Sequence, residues 1–222
     1  MVEIDDISTI ALCAKLSNET YTQKLKSVTS PGKLLVDLKT DCHIHIASQN
    51  NIIYVVSRGS SSITDALHDI KMWRSKCEFL KNTKIHTGFL DQYMSIRRSL
   101  QSQVNLLLND NINTIVFTGH SLGGALSTIG ALDYKIKQSN LIVKCITFAS
   151  PRVGSPDFAK LFNESIDVSK RFVFHRDPVT FVPICLRFRH VKGCIHLKKD
   201  NTVNVSEEYF FPIGCLVSQH FM

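Results

Sequence analysis

The stretch Thr114-Ile115-Val116-Phe117-Thr118-Gly119-His120-Ser121-Leu122-Gly123-Gly124-Ala125 decides how this chain is read. Its first five residues are apolar or β-branched and form a short run of the kind buried in a sheet. From Leu122 to Lys137 the pattern turns helical. Between them, Gly119-His120-Ser121-Leu122-Gly123 matches G-x-S-x-G at the junction of strand and helix. In that context the serine is a candidate nucleophile. A strand-to-helix turn this sharp forces the serine into a strained backbone conformation. The chain passes close to its neighbours, so small residues are needed two before and two after. The serine also lies at a helix N-terminus, where backbone N–H groups favour negative charge, which suits the Leu122 N–H to an oxyanion. His120 adjoins Ser121 in sequence, but its side chain is expected to point away at the turn, in a packing and hydrogen-bonding role.

Outward from this point the chain alternates strand and helix. Ile142 to Phe148 reads as a buried strand, Pro156 to Phe162 as a helix and Arg171 to His175 as a strand. The β-α-β-α-β order implies an α/β fold with a mostly parallel sheet and helices on its faces. Upstream, residues 5–28 read as a helix with a partial apolar face, ended by Ser30-Pro31-Gly32. His43 to Ala47 and Ile52 to Ser57 read as strands of a hairpin joined through Gln49-Asn50-Asn51. Ile63, Ala66, Leu67, Ile70 and Trp73 form a helical apolar stripe. A longer helix is predicted over 89–108. After residue 185 only short strands and loops are read.

At 222 residues the chain suits one domain, taken as 1–222, and no apolar run approaches a bilayer span. The acidic start Met1-Val2-Glu3-Ile4-Asp5-Asp6 does not read as a secretory signal. Seven cysteines without CxxC spacing read as free, buried thiols. Together these features place the chain inside the cell. Cys42-His43-x-His45 is the nearest approach to a metal-ligand spacing, but it lies in a strand-like run, and no metal or cofactor is expected. The net charge is +7. The positive residues are scattered, with no basic helix or finger spacing, so nucleic acid is not the expected partner; a general attraction to anionic membrane surfaces fits better.

A serine nucleophile needs an acid and a base. In a strand–elbow–helix architecture these follow in chain order, acid then histidine. Asp177, just past the strand ending at His175 and locked by Pro178, leads over Asp157, Asp167 and Asp200. Three histidines follow it, His190, His196 and His220, and spacing does not choose among them.

Five segments, in order, resemble the class 3 lipases, the fungal lipase-like family of α/β-hydrolases. They are Val56-Ser57-Arg58-Gly59-Ser60, Ile85-His86-Thr87-Gly88-Phe89, Thr118 to Ala125, Phe148-Ala149-Ser150-Pro151-Arg152-Val153-Gly154, and Asp177-Pro178-Val179. The likeness covers about residues 40 to 220. It implies an α/β-hydrolase fold and a Ser121–Asp177–His220 triad acting on carboxylic esters, usually acylglycerols or phospholipids. By family position Ser60 is the second oxyanion donor beside Leu122, and His190 belongs to a structural His-Val-Gly segment. The 60–75 segment, with Ile63, Leu67, Ile70 and Trp73, becomes a lid candidate, and the expected partner is a lipid ester with transient contact at a lipid interface. A catalytically inactive, lipid- or partner-binding relative and an acyltransferase are the alternatives. The sequence leaves the oligomeric state open.

Overall fold

The computed structural model describes residues 4–30, 32–60, 73–80, 82–183, 187–200 and 202–206. Three of the lid positions, Ile63, Leu67 and Ile70, lie outside these residues, as does His220. Trp73 is described and is 72% exposed.

Eight strands form one sheet: β1 (Lys33–Asp37), β2 (Cys42–Gln49), β3 (Ile52–Ser57), β6 (Thr114–His120), β7 (Ile142–Phe148), β8 (Val168–Phe174), β9 (Cys194–Leu197) and β10 (Val203–Ser206), in the order β1-β2-β3-β6-β7-β8-β9-β10. The five strands from β3 to β9 run parallel, and antiparallel pairs close both sides. Two short strands, β4 (Arg74–Lys76) and β5 (Lys84–His86), pair separately. Among the described residues the α-helices are α1 (Ile4–Glu19), α2 (Thr87–Leu107), α3 (Leu122–Lys137) and α4 (Pro156–Ser165). Pro156 and the Ser155 side chain, which accepts from Phe158 N, start α4.

Alternation along the central strands divides the core in two. Ile53, Val55, Ile115, Phe117, Val143 and Cys145 face one side, with Leu126 and Ile129 of α3 and Phe158 of α4. Tyr54, Val56, Val116 and Ile146 face the other, against Cys13 and Leu16 of α1. β3, β6 and β7 are buried on both faces, which is why Thr114 to Thr118 reads as a continuous apolar run.

The hairpin between β2 and β3 turns through Asn50 and Asn51, at φ 52° and 59°. Asparagine tolerates the left-handed region that a two-residue hairpin demands. The N-terminal helix is shorter than the 5–28 read from the sequence. It stops at Glu19, and one 3-10 turn follows, Thr20–Thr22, before Gln23 at φ 58°. Thr20 and Thr22 turn their hydroxyls back onto the carbonyls of Ser17 and Glu19. The Glu19 carboxylate then collects the backbone N–H groups of Lys26 and Ser27 and the Ser27 hydroxyl. Side-chain bonds to local backbone of this kind compete with further helix.

Within the helical layer, Asp133 of α3 is 2% exposed. Its carboxylate accepts from the Tyr93 hydroxyl, from Arg97 Nε and Nη2 and from Gln101 Nε2, at 2.7–2.9 Å. Burial, together with the same carboxylate, holds the Tyr93 phenol well above its ordinary pKa. Asp133→Ala strands a guanidinium and a phenol without their acceptor. It should cost about 3–5 kcal/mol, read as a lowered denaturation midpoint; a loss below 1 kcal/mol would contradict this network's role.

Candidate functional site

The parallel register brings four strand ends to one edge. Ser57 of β3 lies beside Gly119 of β6, His120 of β6 beside Phe148 of β7, and Phe148 beside Phe172 of β8. The segments leaving these strands, Arg58-Gly59-Ser60, Ser121 and His175-Arg176-Asp177, therefore emerge together at the carboxyl edge. In open α/β sheets this is where ligands bind.

Ser121 is 3% exposed and sits at φ 56°, ψ −124°. A non-glycine residue in that conformation is strained. Its amide still donates to Phe148 O at 2.9 Å, continuing the ladder. Its carbonyl accepts from Gly124 N and Ala125 N, starting α3. The chain therefore reverses within one residue. A Cβ on Gly119 would overlap the Gly123 backbone, one on Gly123 would overlap Ser57 O, and one on Gly124 would press on Ser150 Cβ. Ser127 of α3 locks the turn from below: its hydroxyl donates to Thr118 O at 2.7 Å and lies 3.1 Å from Ser57 Oγ. Leu122 is the first residue of α3, so its N–H belongs to the helix end that favours an anion.

The strand end before Ser60 is pinned from the side. Arg58 N donates to His43 O, and Arg58 Nη2 reaches both oxygens of Asp41 at 2.8 Å. His43 Nε2 meets the same carboxylate at 3.0 Å. The Cys42-His43-x-His45 run is thus part of β2, one of its imidazoles serving as a strut.

Asp177 is set by the turn that ends β8. His175 adopts φ 47°. Its N–H donates to Leu197 O, and its carbonyl is bonded to His196 Nε2 at 2.6 Å. Asp177 then caps the 3-10 turn Pro178–Phe181, Oδ1 accepting from Val179 N at 3.0 Å. Arg152 holds the far side of this loop: its N–H donates to Val182 O, and Nη1 donates to the carbonyls of Phe181 and Pro183. Sequence reading gave Arg152 no such part, because its partners are carbonyls some 30 positions away, which no side-chain pattern marks.

The histidines sort by their partners. His190 is buried, with Nε2 bonded to Thr180 O at 2.7 Å; burial and the nearby Arg171 guanidinium push its pKa well down. His196 Nε2 is committed to a backbone carbonyl. His120 bonds to the Tyr21 hydroxyl through Nδ1 at 2.9 Å, a hydrogen-bonding role. Burial lowers its pKa, partly offset by the Asp177 carboxylate.

A mostly parallel sheet flanked by helices, with a strained serine at a strand–helix elbow, defines an α/β-hydrolase fold. The structure matches the Rhizomucor miehei lipase of a propeptide complex with a TM-score of 0.83 at 25% identity, over 93% of this chain and 74% of that one. In sequence the chain is 33% identical over 168 residues to a lipase of Rhizomucor miehei, covering 73% of this chain and 45% of that protein. It is 28% identical over 160 residues to secreted mono- and diacylglycerol lipase 1 of Fusarium solani, covering 70% of this chain and 47% of that one. The chain thus spans about half the length of these curated relatives. The family model described as lipase (class 3) matches residues 54–187, and the chain belongs to that family.

The expectation of an intracellular chain is overturned here. Relatives from Fusarium solani and Malassezia globosa are named secreted mono- and diacylglycerol lipases. The free thiols misled for a physical reason. Cys13, Cys42, Cys77, Cys145 and Cys194 are all buried, and burial pushes the thiols of Cys13, Cys42 and Cys145 up to about 12. Thiols so protected stay reduced through burial itself and carry little information about compartment.

Proposed function

We propose that this chain is a serine hydrolase of lipid carboxylic esters, working through an acyl-enzyme on Ser121. The observation that carries the reading is the strained, buried Ser121 at the elbow, with Arg58-Gly59-Ser60 and Asp177 brought to the same sheet edge. Ser121 Oγ attacks the ester carbonyl while His220 takes its proton. Asp177 fixes the imidazole tautomer and stabilises the imidazolium. The oxyanion rests on the N–H groups of Ser60 and Leu122. His220 returns the proton to the leaving alcohol, and water then releases the acid. The assignment of His220 rests on family position, and the backbone bonds that occupy His190 and His196 support it. Neither a metal nor an organic cofactor enters these steps.

Acylglycerols are the proposed substrates, supported by the names of the relatives, and a location outside the cell goes with them. A panel of short nitrophenyl esters, diacylglycerol, triacylglycerol and phospholipid tests the substrate class. Hydrolysis of acylglycerols is expected; hydrolysis of the soluble esters alone would exclude a lipid enzyme. The segment 60–75, with Ile63, Leu67, Ile70 and Trp73, is proposed as a lid that turns its apolar face to lipid. The rate should then rise steeply as substrate passes its solubility limit, whereas smooth saturation through that limit would count against a lid.

A further inference from the structure

The end of the N-terminal helix reaches the site. Ser17 Oγ lies 3.2 Å from Thr118 Oγ1, fastening α1 onto β6. The 3-10 turn that ends the helix then carries Tyr21 over the sheet edge. There its hydroxyl bonds to His120 Nδ1 at 2.9 Å, and the two rings meet edge to face at 6.1 Å. The same hydroxyl lies against Gly59, where a Cβ would overlap both Tyr21 Oη and His120 O. One phenol therefore touches the residue before Ser121 and the residue before Ser60. These are the two backbone segments whose spacing sets the distance between nucleophile and oxyanion donor.

We infer that Tyr21 is a positioning residue that clamps the Gly59 segment and the His120 elbow into register. The inference rests on Ser121 being the nucleophile and Ser60 an oxyanion donor. Burial lowers the His120 pKa and raises that of Tyr21, so at neutral pH both groups are uncharged and the bond between them persists. Tyr21 is 39% exposed and belongs to neither buried core cluster. Its effect should fall on geometry rather than on stability. Displacing a reacting group by a fraction of an ångström lowers rate more than binding.

The test compares wild type, Tyr21→Phe, His120→Gln and the double variant. It follows ester kinetics, labelling rate by a fluorophosphonate and thermal unfolding. Tyr21→Phe should lower kcat and the labelling rate about tenfold, with KM changed less than twofold and Tm lowered by no more than about 4 °C. The double variant should lose little more than the worse single one, because both break the same bond. Additive losses, or a fall in Tm that accounts for the lost activity, would overturn the clamp. If wild type labels at Ser121 and Tyr21→Phe labels equally fast, only the clamp fails. If wild type does not label at Ser121, the reading of the site fails with it.

Discussion

Ser121→Ala should lower kcat for ester hydrolysis by on the order of 10⁶-fold, leaving only what the oxyanion donors and binding supply. The fold should survive the change. The elbow is held by backbone bonds from Ser121 N to Phe148 O and from Gly124 N to Ser121 O, together with the Ser127 hydroxyl beneath it. None of these uses the Ser121 side chain. The strain at φ 56° is common to serine and alanine, so Tm should not rise or fall appreciably. The measurement is turnover of a soluble nitrophenyl ester beside thermal unfolding of the same sample. Residual activity above about 1% of wild type in a folded protein would mean that another group attacks, since loss of a true nucleophile costs far more.

Asp177→Asn should be the second largest effect, a fall of about 10⁴-fold in kcat with KM nearly unchanged. Asparagine keeps an oxygen for Val179 N, so the 3-10 turn and the loop held by Arg152 should persist. What is lost is the negative charge that stabilises a protonated imidazole, and the amide favours the wrong tautomer. Steady-state kinetics on a soluble ester separate the two parameters. A loss of less than tenfold would assign Asp177 to the turn alone.

The parts of the site that were legible in the sequence are those made by neighbours in sequence. The elbow is local: strand, glycines, serine and helix start lie within twelve residues, and each residue type answers a constraint of the turn. The turn at Asp177 is legible because a strand end and a proline mark it. The central strands β3, β6 and β7 are legible because burial on both faces makes their runs continuous. Where partners are distant, the sequence was mute. The Tyr21–His120 bond spans 99 positions, and Arg152 reaches carbonyls that no pattern advertises. β1 escaped notice because Leu34-Leu35-Val36 lacks alternation and lies at the sheet's edge, half exposed. β4 and β5 were too short to show a period. The N-terminal helix was overextended because its apolar spacing continued past Glu19, while hydroxyl and carboxylate bonds to the backbone had already ended it.

The most direct measurement of the central claim is reaction of the wild-type protein with a fluorophosphonate, followed by peptide mapping of the adduct. The account predicts one stoichiometric adduct, on Ser121, formed in step with loss of ester hydrolysis. An adduct on a different serine, or unlabelled protein that still hydrolyses esters, would contradict it.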